Sequence, residues 1–200
     1  TFPTQNRAVT QRDYENLVYR MPSNFGSIKR CSVQKDPDSQ KRNLNVYVIS
    51  QNSEGKLEQT NNTIKENIKT WLNHYRMIND TVDILDTFII NIGINFVIKP
   101  EMNVEKFKVL NEAVKALSDE FSTPLFVGES LSLSRIFNVL NGVSGINDVV
   151  KVQLFNKNSA NYSNVFFSIN ENMSPDGDLL VCPKNAIFEV KFPEVDIKGK

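Results

Sequence analysis

Apolar and polar positions alternate along this chain with two distinct periods, and the switches between them outline its elements. Tyr14, Leu17, Val18 and Met21 recur at helical spacing, which predicts a short helix with one buried face. Thr10 stands three residues before Asp13, the spacing of a hydroxyl N-cap with a returning carboxylate, and Pro22 ends the helix. SIKRCSVQ (27–34) and LNVYVIS (44–50) read as strands joined through the polar, Pro37-containing stretch KDPDSQKRN. Ile64, Ile68, Trp71, Leu72, Tyr75 and Ile78 define one face of a second helix over 60–78, and TVDIL (81–85) returns as a strand.

The strictest alternation follows. Ile90, Ile92, Ile94, Phe96 and Ile98 face one way and Asn91, Gly93 and Asn95 the other, which predicts a strand with a single buried face. Pro100 ends it. Asn103 is the expected cap of a helix carrying Phe107, Leu110, Val114, Leu117 and Phe121 on one face. A shorter helix, SLSRIFNVL, starts near Ser132 and stops at Asn141–Gly142, and VVKVQLF (149–155) is the next strand. Residues 156–178 are rich in Asn and Ser around NVFFSI, and DLLVCP and IFEVKF close the chain. The pattern predicts an α+β fold of two small helix-on-sheet units, α-β-β-α-β over residues 1–86 and β-α-α-β over 87–157. A β extension over 158–200 completes it.

Composition narrows the function. Lys plus Arg and Asp plus Glu number 23 each in 200 residues, for zero formal net charge. That argues against a nucleic-acid partner held by phosphate neutralisation, though not against a local basic patch. The longest apolar run, FIINIGINFVI, is broken by two asparagines and a glycine and is too short to span a membrane. Cys31 and Cys182 show no metal-ligand spacing and read as two buried thiols. The Asn-x-Ser/Thr triplets at Asn61, Asn79, Asn161 and Asn172 matter only in a secreted chain. The first residue is Thr rather than Met, which suggests a processed product or a fragment.

Catalytic chemistry finds little to build on. His74 is the single histidine and has no metal-ligand partner at helical spacing. Without a second histidine, a Ser–His–Asp triad has one available base, and GESLSLS lacks the nucleophile-elbow pattern. GVSG has no phosphate-loop lysine. Asp83 and Asp86 near a strand end read as solvated edge carboxylates. The Phe content (13) is accounted for by core packing, with no stretch like an RNA-platform consensus. No enzyme, cofactor or metal is expected.

Interaction is the remaining reading. FEVKFPEVDI alternates apolar and charged residues as an edge strand does, and Phe166 and Phe167 stand in a polar segment. Phe166, Phe167, Phe188, Val190 and Phe192 are therefore the candidate interface residues, since buried aromatics carry much of the binding energy at interfaces. Phe166 and Phe167 equally suit a role in covering the sheet.

Four stretches carry a family resemblance. QNRAVTQRDYENLV (5–18) resembles the opening signature of baseplate J-like proteins. FIINIGINFVIKPEMN, LSLSRIFNVLNGVSGINDV and CPKNAIFEVKFPEVDIKGK follow in the family's order. The last is similar to the C-terminal end of wedge proteins in the T-even-type myophage branch. Residues 156–178 have no place on that pattern. The resemblance implies a structural virion protein of a contractile tail, the C-terminal part of a longer baseplate wedge subunit. It further implies a homodimer or ring with itself, contacts with other wedge proteins in a ring around the hub, and assembly in the host cytoplasm. Neither nucleic acid nor membrane is an implied partner. Balanced charge suits self-association, which a strong like charge would oppose. A receptor- or glycan-binding tail module is the alternative, and it calls for Trp or Tyr displayed on a concave surface. A small cytosolic enzyme is a third reading, with no constellation to carry it.

Overall fold

A computed structural model describes residues 7–39 and 42–200. Its fold is α+β, in two compact units that divide between Thr87 and Phe88, each with its own apolar core.

In the first unit, α1 (Gln11–Tyr19) is nucleated as its sequence dictates. The Asp13 N–H donates to Thr10 Oγ1 at 3.2 Å, and the Thr10 N–H donates back to Asp13 Oδ2 at 2.8 Å. The two bonds satisfy N–H groups that the first helical turn leaves without partners. Tyr14 and Val18 are buried beneath the helix. Strands β1 (Arg30–Lys35) and β2 (Arg42–Gln51) form an antiparallel pair, with Cys31 opposite Val48 and Val33 opposite Val46. Side chains of α1 close the outer edge of β1: Cys31 N–H donates to the Tyr19 hydroxyl (2.8 Å) and Val33 N–H to Glu15 Oε1 (3.0 Å). An open strand edge is thereby denied to other chains.

After the two-residue β3 (Leu57–Glu58), α2 (Asn62–Asn73) carries the chain over to β4 (Asp80–Asp86), which runs parallel to β2. A parallel pair needs such a crossover. Asn61 caps α2 by accepting from the Thr63 N–H at 2.9 Å. The helix is shorter than its apolar period predicts: it stops at His74, and Ile78 lies exposed in the turn beyond. Ile68 and Leu72 join Tyr14, Val18, Val33, Val46, Val48 and Val82 in the core.

The second unit is organised by β5 (Phe88–Pro100). Strand β7 (Ile146–Lys157) pairs antiparallel along nearly all of it. Its other edge takes two short strands in succession, β9 (Ala186–Glu189) on Phe88–Asn91 and β10 (Ile197–Gly199) on Ile94–Phe96, both parallel. The turn of helix α5 (Pro193–Asp196) separates them. The run IFEVKF and the residues that follow it therefore complete the central sheet. Helices α3 (Lys106–Glu120) and α4 (Leu133–Asn141) belong to this unit. Ile90, Ile92, Ile94 and Phe96 share its core with Ala113, Leu117, Ile136 and Leu140.

Two local expectations change here, and one helix start gains a remote partner. Asn103 adopts a left-handed φ of 69° ahead of α3, and Glu105 takes the N-cap position; asparagine tolerates that backbone region better than other non-glycine residues. The buried face of α3 is Val109, Ala113 and Leu117, so Phe107 is 78% exposed. The start of α4 is held from a distance. Asp178, on the segment before β8 (Leu179–Leu180), accepts from the Ser134 N–H at 2.9 Å and from the Ser132 hydroxyl at 3.1 Å. Strand β8 itself pairs with β6 (Leu131–Ser132).

Candidate functional site

The five sequence-predicted interface residues occupy different environments. Phe188 lies opposite Ile90 in the β9–β5 pair, on the core side, and is 1% exposed. Phe167 meets its ring edge to face, with centroids 5.5 Å apart, a preferred aromatic geometry. Val190 is also buried. Phe192 is half-buried against Tyr162, again edge to face at 5.5 Å. Phe166 points the other way and is 77% exposed. Though adjacent in the chain, the two rings part: Phe167 fills the core and Phe166 meets solvent.

The segment that carries them is fastened by polar contacts. Asn91 is 1% exposed although it opposes the main core face of β5. Its Oδ1 accepts from the Ser163 N–H (2.7 Å) and its Nδ2 donates to Glu189 (2.8 Å). Asn156 donates to the Asn91 carbonyl at 3.1 Å and accepts from the Phe167 N–H at 3.3 Å. Tyr162 donates to Asp196 at 2.6 Å, and Asp196 also accepts from the Phe192 N–H at 2.9 Å and faces Lys157 at 3.5 Å. Burial, followed by the bond to Asp196, raises the Tyr162 phenol to about 12. Buried polar groups need such partners. Next to Asn91, Gly93 leaves room for the Phe155 ring, which lies 2.3 Å from where a Cβ would stand. Alternation alone left Asn91 and Gly93 on an open face; Gly93 is covered by Phe155 of β7, and the Asn/Ser-rich segment that binds Asn91 has no periodicity to announce it.

The residues considered for chemistry are committed to structure. His74 is exposed at the end of α2, and its Nδ1 lies 2.8 Å from the Thr70 carbonyl. Asp83 pairs with Lys69 at 3.5 Å and Asp86 with Lys65 at 2.7 Å. Cys31 and Cys182 are both buried free thiols. Burial pushes both thiols up, that of Cys182 to about 12. Among the described residues, no group of three or more His, Cys, Asp and Glu side chains is placed to hold a metal ion. No helix there is long and apolar enough to cross a membrane.

A shallow groove in the first unit is lined by Asp36, Asn43, Lys65, Glu66, Lys69 and Asp83 among others, and both lysines are ion-paired. Trp71 is half-buried, and its indole N–H donates to the Leu17 carbonyl at 2.9 Å. It is thus engaged in the helix packing of that unit and does not line the groove.

A similar fold is found in a solved structure. The chain superposes on the six-fold symmetrised cryo-EM structure of the anti-feeding prophage baseplate with a TM-score of 0.57 and 11% sequence identity. The match covers 92% of this chain and 38% of that one. No family model matches the chain, and no curated protein does.

Proposed function

We propose that this chain is a structural component of a contractile-tail baseplate, working through contacts with copies of itself and with neighbouring subunits. The observation that carries the reading is the fold shared with the anti-feeding prophage baseplate over 92% of the chain. The finer assignment is the C-terminal part of a wedge subunit of the T-even-type branch, a homodimer that helps join wedges into a ring around the hub. It rests on the ordered sequence resemblance, whose first stretch includes the capped start of α1. The reading places the protein in the virion tail, assembled in the host cytoplasm, without catalytic activity.

Phe166 is the strongest interface candidate of the original five. A phenylalanine 77% exposed on a segment tied down by backbone hydrogen bonds is a pre-positioned anchor, and ordering it on binding costs little entropy. Phe192, half-buried against Tyr162, is the other of the five that keeps part of its ring accessible. Phe167, Phe188 and Val190 support the site from beneath, by packing.

Light scattering of the purified chain over a dilution series tests self-association. A dimer persisting at low micromolar concentration is the expected result. A monomer at every concentration, together with no binding to other tail proteins on mixing, overturns the assembly reading.

A further inference from the structure

Among the described residues, the face of the second sheet opposite its main core is covered at one end only. Phe155, Tyr162 and Ser163 close it around Asn91 and Gly93, whereas Asn95, Val97 and Lys99 of the same strand are all exposed. The strand register fixes what surrounds them. Asn95 lies opposite Gln153 of β7 and Lys198 of β10, and Val97 lies opposite Lys151. The Lys200 N–H donates to the Phe96 carbonyl and the Ile98 N–H to the Lys200 carbonyl, each at 3.0 Å. These bonds set Lys200 beside Val97. Directly opposed residues share a face of a sheet, so Lys151, Lys198 and Lys200 all project from the open side with Lys99. Val150, the extra residue where the β5–β7 register slips between Val97 and Ile98, is 61% exposed. Asp148, opposite Lys99, is the one carboxylate in this register.

We propose that this open half-face, centred on Val97 and rimmed by Lys99, Lys151, Lys198 and Lys200, docks an extended, carboxylate-bearing segment of a partner protein. The apolar centre with a polar rim is the anatomy of a protein interface, and four lysines against one aspartate require a facing surface that is acidic. Spacing specifies an extended segment. Lys198 on β10 and Lys200 just past its end, still bonded to β5, are two residues apart, about 6.6 Å in an extended chain. That is also the separation of carboxylates at alternate positions of an extended chain. A polynucleotide suits the face less well, because single strands are held by aromatic platforms and arginine, and valine and lysine supply neither stacking surface nor a bidentate fork. The inference is independent of the baseplate reading, since it concerns only the chemistry of the occupant.

The test is fluorescence anisotropy of the whole chain with a short labelled peptide alternating glutamate with valine and threonine. Its glutamine counterpart and a DNA oligonucleotide of equal charge serve as comparisons. The glutamate peptide binds, weakens with added salt, and loses about tenfold or more in affinity to Lys151→Glu/Lys198→Glu. A lysine-containing version of the peptide then binds that variant better than it binds the wild type. All the changed side chains are exposed, so circular dichroism and Tm stay unchanged; Lys151→Gln/Lys198→Gln replaces the reversal if they do not. The proposal is overturned by no binding, by equal binding of the glutamine peptide, by indifference to the substitutions, or by tighter binding of the DNA.

Discussion

The Tyr162 hydroxyl donates to the Asp196 carboxylate at 2.6 Å, and Asp196 is fully buried. The bond joins the irregular segment after β7 to the turn that separates β9 from β10. Tyr162→Phe removes the donor and leaves the acceptor in place, at a cost of about 1–3 kcal/mol. Urea unfolding measures the loss, and hydrogen exchange at Ser163 and Phe167 rises if the segment loosens with it. The pH dependence has a definite sign. A phenol raised to about 12 in the folded chain, against about 10 when unfolded, stabilises the protein below pH 10. That contribution is lost as pH climbs from 10 towards 12, and it is missing in Tyr162→Phe.

Gly93 makes room for a ring of the neighbouring strand, since it stands opposite Phe155 in the β5–β7 ladder. A methyl there meets the Phe155 ring at 2.3 Å, so Gly93→Ala destabilises the second unit by about 1–3 kcal/mol. Combining it with Phe155→Leu recovers part of the loss. Denaturation midpoints of the two single variants and the double variant form the required cycle.

Asp178 stabilises the first turn of α4 across 44 residues of chain. The Ser134 hydroxyl, then its backbone N–H, holds the Asp178 carboxyl below the usual range. A lowered carboxylate stabilises the fold above its unfolded pKa and ceases to do so as pH falls through the folded value. Asp178→Ala speeds exchange of the Ser134 amide and flattens the acid limb of the stability profile; an unchanged acid limb counts against this role.

In the first unit, the Tyr14 hydroxyl donates to the Asp80 carboxylate at 2.7 Å, and Arg42 pairs with its other oxygen at 3.1 Å. Asp80 is 1% exposed. Burial, then the bond to Asp80, raises the Tyr14 phenol. Tyr14→Phe keeps the ring in the core and leaves the carboxylate with an unfilled site, costing about 1–3 kcal/mol in urea unfolding.

Phe166 and Phe188 separate interface from core. Phe188→Ala empties a fully buried site and costs about 3–5 kcal/mol. Phe166→Asp leaves the thermal transition where it was and shifts the self-association constant towards monomer. Unchanged mass in the light-scattering series removes Phe166 from the interface.

Much of this protein is fixed by local sequence. The Thr10–Asp13 box, the Cys31–Val33 and Val46–Val48 alternation and the Ile90–Phe96 run each specify an element. A cap needs only neighbouring residues, and burying one face imposes a period of 2 or 3.6. The aromatic FEVKF run also carried its β character in the sequence. Only the tertiary structure decided that this run joins the core edge of β5, which buries Phe188 and Val190. It likewise placed Asp178 at the start of α4, set Asn91 against the segment that follows β7 and Gly93 against the Phe155 ring, and left Phe107 in solvent. Strand partners, remote caps and covering loops are chosen by which edges and donors remain unsatisfied once the elements meet. That deficit arises in three dimensions and leaves no period in the chain. The open lysine-rimmed face has the same origin, since Lys99, Lys151, Lys198 and Lys200 become neighbours only through the register of β5, β7 and β10.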